Sequence, residues 1–191
     1  MSLQRFRPGA HDLELTALSV TGDRAAFGEL VRRHGSAVRA LLLRMGADRS
    51  TADDLAQDAF LAAFEQISDF RGEGAFRSWV SRIAARLYVK RWRREKGEGL
   101  LREAAAADDR QSAPPPSVET RIDLDEALAS LSEIERLCVS LCYGAGFSHA
   151  EAAAALNAPL GTVKSHVKRG LDKLKSRLGG EAAQDRSSIR G

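Results

Sequence analysis

Residues 53–94 read DDLAQDAFLAAFEQISDF, then RGEG, then AFRSWVSRIAARLYVKRWRR. In the first piece Leu55, Ala56, Ala59, Phe60, Ala63, Phe64 and Ile67 recur at the spacing of one helical face. Asp53, Asp54, Gln57, Asp58 and Glu65 fall on the other side, so the pattern predicts an acidic amphipathic helix. The middle piece is a short loop. Gly72 and Gly74 lack a Cβ, which permits positive φ and a close backbone approach to another group. In the last piece Phe76, Trp79, Val80, Ile83, Ala84 and Leu87 mark a second helix. That helix is basic: from Arg71 to Arg94 there are eight arginines and lysines and one acid, Glu73. Trp79, Tyr88 and Trp92 lie among those charges. Trp79 falls on the apolar stripe and reads as core, whereas Tyr88 and Trp92 are the better candidates for exposed stacking, with packing on the linker an equal alternative. An acidic helix suits a basic protein surface, and cations beside aromatic rings suit a nucleic-acid strand.

Upstream, residues 1–10 read as a frayed tail, and a first helix starts near Asp12. After Thr21-Gly22-Asp23, with Asp23 as N-cap, a longer helix carries Phe27, Leu30, Val31, Val38, Leu41, Leu42 and Met45 on one stripe. His34 sits at the edge of that stripe and reads as structural. Gly46 ends the helix, and Ser50 or Thr51 is expected to cap the acidic helix that follows. Three helices between residues 23 and 94 predict one bundle.

Downstream the pattern dissolves. Residues 95–120 hold Gly97, Gly99, four alanines at 104–107 and Pro114-Pro115-Pro116, which exclude helix and predict a flexible linker. About 24 extended residues reach roughly 80 Å. A second domain is expected over 121–178. Ser132 and Ser148 each precede a glutamate by three residues, Glu135 and Glu151, the pattern of a capping box. Gly144-Ala145-Gly146 ends one helix, and Asn157-Ala158-Pro159 makes a turn. The last helix starts near Leu160 with an apolar stripe of Val163, Val167, Leu171, Leu174 and Leu178. Lys164, Ser165, Lys168, Arg169 and Lys173 lie off that stripe. A short helix, a tight turn and a basic helix form a helix-turn-helix, whose second helix enters a major groove. Residues 179–191 have no apolar stripe and are expected to be disordered.

No stretch alternates with period two over a strand's length, and alanine and leucine are abundant, so the fold class is all-α: two small helical domains joined by a flexible linker. The net charge of +3 hides a segregated pattern. Residues 10–70 carry ten acids and six bases, 119–151 seven acids and two bases, and 152–178 six bases and one acid. No apolar run approaches the roughly 20 residues of a membrane span, and the N-terminus lacks the apolar core of a secretion signal, which predicts a cytoplasmic chain. Cys138 and Cys142, four apart on a helix, read as two buried thiols; a metal site needs further ligands at matching spacing, and a cytoplasmic setting disfavours a disulfide. No catalytic constellation is present. Asp53 and Asp54 point about 100° apart on a helix, there is no phosphate-binding glycine loop, and the histidines are scattered. The chain is not expected to be an enzyme.

Three motifs together resemble a family. Residues 53–60 (DDLAQDAF) look like the polymerase-binding helix of bacterial RNA polymerase sigma factors of the extracytoplasmic-function (ECF) group. Residues 70–84 (FRGEGAFRSWVSRIA) resemble their promoter-melting segment, and residues 161–170 (GTVKSHVKRG) resemble the recognition helix of their C-terminal domain. The resemblance implies a sigma-two-like domain over 1–94 and a sigma-four-like domain over 121–178. It implies that Asp54, Gln57, Asp58 and Leu61 dock on core RNA polymerase. It implies that Phe70, Arg71, Gly72, Glu73, Gly74, Arg77, Trp79, Arg82, Arg86, Lys90 and Arg91 meet the minus-ten element, with the loop from Phe70 to Ala75 holding an unstacked base. Thr162, Lys164, Ser165 and Lys168 would meet the minus-thirty-five duplex, with His166 and Arg169 nearer phosphates. Lys173 would be a phosphate contact at most. An anti-sigma factor would hold the protein inactive; no metal or nucleotide cofactor is implied. The family often has Asn and Asp where this chain has Arg86 and Lys90, which bears on promoter preference. Two other readings are a decoy that titrates an anti-sigma factor and a dimeric helix-turn-helix regulator. The basic segment 71–94 speaks against the decoy, which needs no melting residues.

Overall fold

The computed structural model describes residues 10–70, 72, 75–96 and 124–184, with side chains up to residue 178. Every regular element among them is helical, and two compact units divide the chain. The flexible-linker expectation for residues 95–120 falls, from residue 97 on, outside the described residues.

The first unit is built on four helices: α1 (Asp12–Val20), α2 (Arg24–Met45), α3 (Arg49–Glu65) and α4 (Phe76–Lys96), with a 3₁₀ turn at Ile67–Asp69. Asp23 caps α2, its carboxylate accepting from the amides of Ala25 and Ala26 at 2.9 and 3.1 Å. Gly46 follows α2 at φ 113°, a conformation that favours a residue without Cβ. The cap of α3 is neither Ser50 nor Thr51. It is Asp48, which accepts from the Thr51 amide at 2.9 Å and the Thr51 hydroxyl at 2.8 Å. Its carboxylate is held below its ordinary value by those bonds, the backbone one first.

Leu15, Leu30, Leu42, Phe76 and Val80 are fully buried and form the centre of this unit. Phe27 meets Phe64 edge-on at 4.9 Å and Phe76 at 6.4 Å. His34 takes the structural role expected of it: Nε2 lies 2.7 Å from Asp12 Oδ2 of α1, and its ring is 5.6 Å from Phe76. Tyr88 and Trp92 are not exposed. Both are buried, Tyr88 because it continues the four-residue row Phe76, Val80, Ala84 along the inner face of α4.

The second unit holds α5 (Leu124–Ala129), α6 (Glu133–Val139), α7 (His149–Leu156) and α8 (Leu160–Gln184), with a π turn at Ser140–Gly144. Both capping boxes are formed. Ser132 and Glu135 satisfy each other's backbone amides, and so do Ser148 and Glu151. Leu137, Cys138, Leu141, Leu156 and Val163 are completely buried. Leu174 packs with Ala127, Leu128, Leu131 and Val139, with Leu171 partly buried against them. Burial pushes the Cys138 thiol up to about 12 and raises that of Cys142, so neither is a ready thiolate. Asn157 ends α7 at φ 53°, and α8 starts three residues later. The last helix runs to Gln184 rather than ending at residue 178. Glu181, Ala182, Ala183 and Gln184 are good helix formers that outlast the two glycines before them. Residues 185–191 lie outside the described residues.

Candidate polymerase and nucleic-acid interfaces

The acidic face of α3 follows from its period. Asp54, Gln57, Asp58 and Leu61 are spaced three, four and seven residues apart and all are exposed. Leu61, a large aliphatic side chain, is 56% exposed. Beside it an open groove of about 460 Å³ runs between α2 and α3, lined by Phe27, Val31, Ala56, Phe60 and Phe64 together with Gln57 and Leu61. Asp53 is apart from this face. It is paired with Arg39 of α2, whose hydrogen bond holds the carboxyl below its ordinary value. The face is thus two exposed carboxylates and an amide beside an apolar strip.

The loop after α3 is anchored by aromatic rings. Phe70 lies 5.7 Å from Phe76 and 5.4 Å from Trp79, and Phe76 lies 5.7 Å from Trp79. Trp79 is therefore half-buried in a ring cluster. Gly72 has φ 74°, which a residue with Cβ rarely adopts. Arg71, Glu73 and Gly74 lie outside the described residues. Along α4, Arg77, Arg86 and Lys90 are exposed and Arg82 and Arg91 partly so, while Val80, Ile83, Ala84 and Tyr88 face inward.

On α8 the division is sharper than the apolar letters suggest. Lys164, Ser165 and Lys168 are exposed and Thr162 is partly so. His166 is only 4% exposed and belongs to the core, so it is not a phosphate contact. Arg169 Nη2 donates to His166 Nδ1 at 3.1 Å. A guanidinium only donates, so Nδ1 accepts and the proton of the neutral ring sits on Nε2. That atom is buried with no hydrogen-bond partner among the described residues. Burial pushes the His166 pKa down, and Glu135 only partly opposes it.

Lys173, expected to be a phosphate contact at most, has a carboxylate partner within the unit. Its ammonium donates to both oxygens of Glu135 at 2.9 and 2.8 Å. Glu135 is 4% exposed and also accepts from the Ser132 amide at 3.1 Å, with Arg169 Nε at 4.0 Å. Burial pushes the Glu135 carboxyl up, but the Lys173 and Ser132 donors outweigh it and leave it below its ordinary value. Gly170 lets α8 approach α6 at this point: a Cβ there would lie 2.7 Å from Val139 Cγ2. Glu135 and Gly170 together fix how α8 leans on α6, and so where its exposed cations point. The capping box reveals Glu135 in the sequence; nothing there reveals its second partner.

These surfaces fit what the chain is similar to. Residues 30–98 match the family Sigma-70 region 2, and residues 127–176 match Sigma-70, region 4. The chain is 32% identical to the RNA polymerase sigma factor NccH of Alcaligenes xylosoxydans xylosoxydans, over 87% of this chain and 94% of that protein. It is 35% identical to the ECF RNA polymerase sigma factor SigM of Mycobacterium tuberculosis, over 88% and 85%. Among solved structures it resembles CnrH in complex with the cytosolic domain of CnrY, with a TM-score of 0.50 and 29% identity over 88% of this chain and 97% of that one. It also resembles RpoE in complex with the anti-sigma factor NepR from Bartonella quintana, with a TM-score of 0.50 and 26% identity over 80% and 96%. Two sigma-70 regions in this order, with relatives at 32% and 35% identity over most of the chain, place the protein in the ECF group of RNA polymerase sigma factors, a transcription initiation factor and not an enzyme.

Proposed function

We propose that the two units divide the work of promoter-specific initiation. The unit of α1 to α4 docks on core polymerase through Asp54, Gln57, Asp58 and Leu61 and takes up the minus-ten element along Phe70, Gly72, Trp79 and the basic side of α4. The helix-turn-helix unit reads the minus-thirty-five duplex with Lys164, Ser165 and Lys168, helped by Thr162, while Arg169 stays close to the backbone. This places the protein's work in the cytoplasm, where the polymerase is.

The observation that carries the reading is the segregation of exposed charge: carboxylates beside an apolar groove on α3, and cations on the first turns of α8. Opposite surfaces suit opposite partners, a protein for the first and a polyanion for the second. Control by an anti-sigma factor is supported by the solved relatives, RpoE being bound to one. The groove beside α3 is a surface that such a partner would cover in competition with polymerase.

Asp58→Arg tests the reading. The residue is exposed, so the variant should keep native helicity. Its association with purified core polymerase should weaken about tenfold or more, since a like charge now faces the basic partner. Unchanged association with native helicity would exclude this face of α3 as the docking surface.

A further inference from the structure

The first turn of α1 lies ahead of the residues that match Sigma-70 region 2, yet it stands against the loop that follows α3. Ala10, His11, Asp12 and Leu13 on one side and Phe70, Ala75 and Phe76 on the other line a cavity of about 550 Å³, with Arg33 also in its wall. The turn is held in place. Arg33 Nη1 donates to the Ala10 carbonyl at 2.6 Å and to Asp12 Oδ1 at 3.2 Å, and the other Asp12 oxygen meets His34. Leu13 is 59% exposed. It reaches over Gly72 so closely that a Cβ there would lie 3.0 Å from Leu13 Cδ2.

We propose that α1 is a specificity wall for the unstacked base of the minus-ten element, with Leu13 as the surface on which the base ring lies. This rests on the reading that the loop meets the displaced strand. An extruded base needs apolar contact for its faces and polar groups for its edge. Leu13 and Phe70 supply the first. The Ala10 carbonyl and the Asp12 carboxylate supply acceptors, each with lone pairs beyond those used by Arg33 and His34. Acceptors in the wall favour a base with an exocyclic amino group and disfavour thymine, which has none. The volume is within the range of small-ligand sites. Helix α4 starts in the same wall at Phe76, and exposed Arg77 and Lys90 extend positive charge along it for the adjoining phosphates.

The test uses holoenzyme reconstituted from core polymerase and the full chain, selecting from promoters with every minus-ten position randomised. The binding probe is a single-stranded oligonucleotide of the selected sequence carrying 2-aminopurine at each position in turn. Wild type should show one position with high fluorescence and selection against thymine. Leu13→Ser should lower oligonucleotide affinity about tenfold and flatten selection at that position, leaving minus-thirty-five selection intact. Leu13→Met should retain wild-type selection, and so should Val20→Ser, which is also exposed on α1 but does not line the cavity. If Leu13→Ser keeps full selection, or weakens every position alike, the role of α1 is overturned while the sigma reading stands. If wild-type holoenzyme shows no minus-ten selection, both readings fall.

Discussion

Replacing Lys173 by methionine removes both of its bonds to Glu135 and keeps most of its aliphatic stem. Glu135 is 4% exposed, so the change leaves a carboxylate in the core with the Ser132 amide at 3.1 Å and Arg169 at 4.0 Å. Removing one partner of a fully buried ion pair costs about 3–5 kcal/mol. Losing a solvent-exposed pair costs about 0–1 kcal/mol. Here one side chain is buried and that of Lys173 is 41% exposed, which places the loss between those limits, at about 2 kcal/mol. That corresponds to roughly a thirtyfold larger open population at 25 °C. Hydrogen exchange of the full-length protein reads it directly. The slowest amides of α6 and α8 should exchange about thirty times faster, with those of α2 and α3 unchanged. The sign with pH follows from the lowered carboxyl pKa. The pair's contribution is complete above the ordinary glutamate range and is lost as pH falls through the lower folded value, so wild type and variant should converge in acid. An acceleration below about threefold at neutral pH would refute the reasoning and return Lys173 to the solvated surface.

Two further outcomes follow from the same helix. His166 has a depressed pKa in the folded state, so the unfolded chain binds more protons below its ordinary value of 6.5. Stability of the α5–α8 unit should therefore fall as pH drops from 7 to 5, and His166→Phe should remove that slope in denaturant midpoints measured across the range. Gly170→Ala gains about 1 kcal/mol of helix propensity but forces a methyl group to 2.7 Å from Val139 Cγ2, an overpacking cost of about 1–3 kcal/mol. It should destabilise the unit by about 1 kcal/mol in urea unfolding, and Val139→Ala should relieve the loss in the double variant.

The helical period and most of the caps are legible in the sequence. The buried face of α3, the capping boxes at Ser132 and Ser148, the turn at Asn157 and the exposed Lys164, Ser165 and Lys168 all follow from residue type at helical spacing. Misreadings came where polar or small letters occupy buried positions. On α8 the inward face is Val163, His166, Val167, Gly170 and Leu174. A count of apolar letters alone drops His166 and Gly170, and retains Leu178, which is 40% exposed. Tyr88 and Trp92 were obscured by the arginines and lysine around them, although Tyr88 continues the four-residue inner row of α4. The cap of α3 was missed because Asp48, Ser50 and Thr51 are all good capping residues and only backbone geometry chooses between them. Lys173 and Glu135 are 38 residues apart. Such a pairing depends on how α6 and α8 cross, which no local pattern states.

The central claim is tested most directly by run-off transcription with purified core polymerase on promoters with both elements randomised, with and without this chain. Initiation should require the chain and should select bases at two separate elements, and Lys164→Ala should relax selection at one upstream position by about 1–3 kcal/mol without altering the downstream element. No initiation above that of core polymerase alone, or tight binding of the isolated chain as a dimer to a palindrome, would contradict the account.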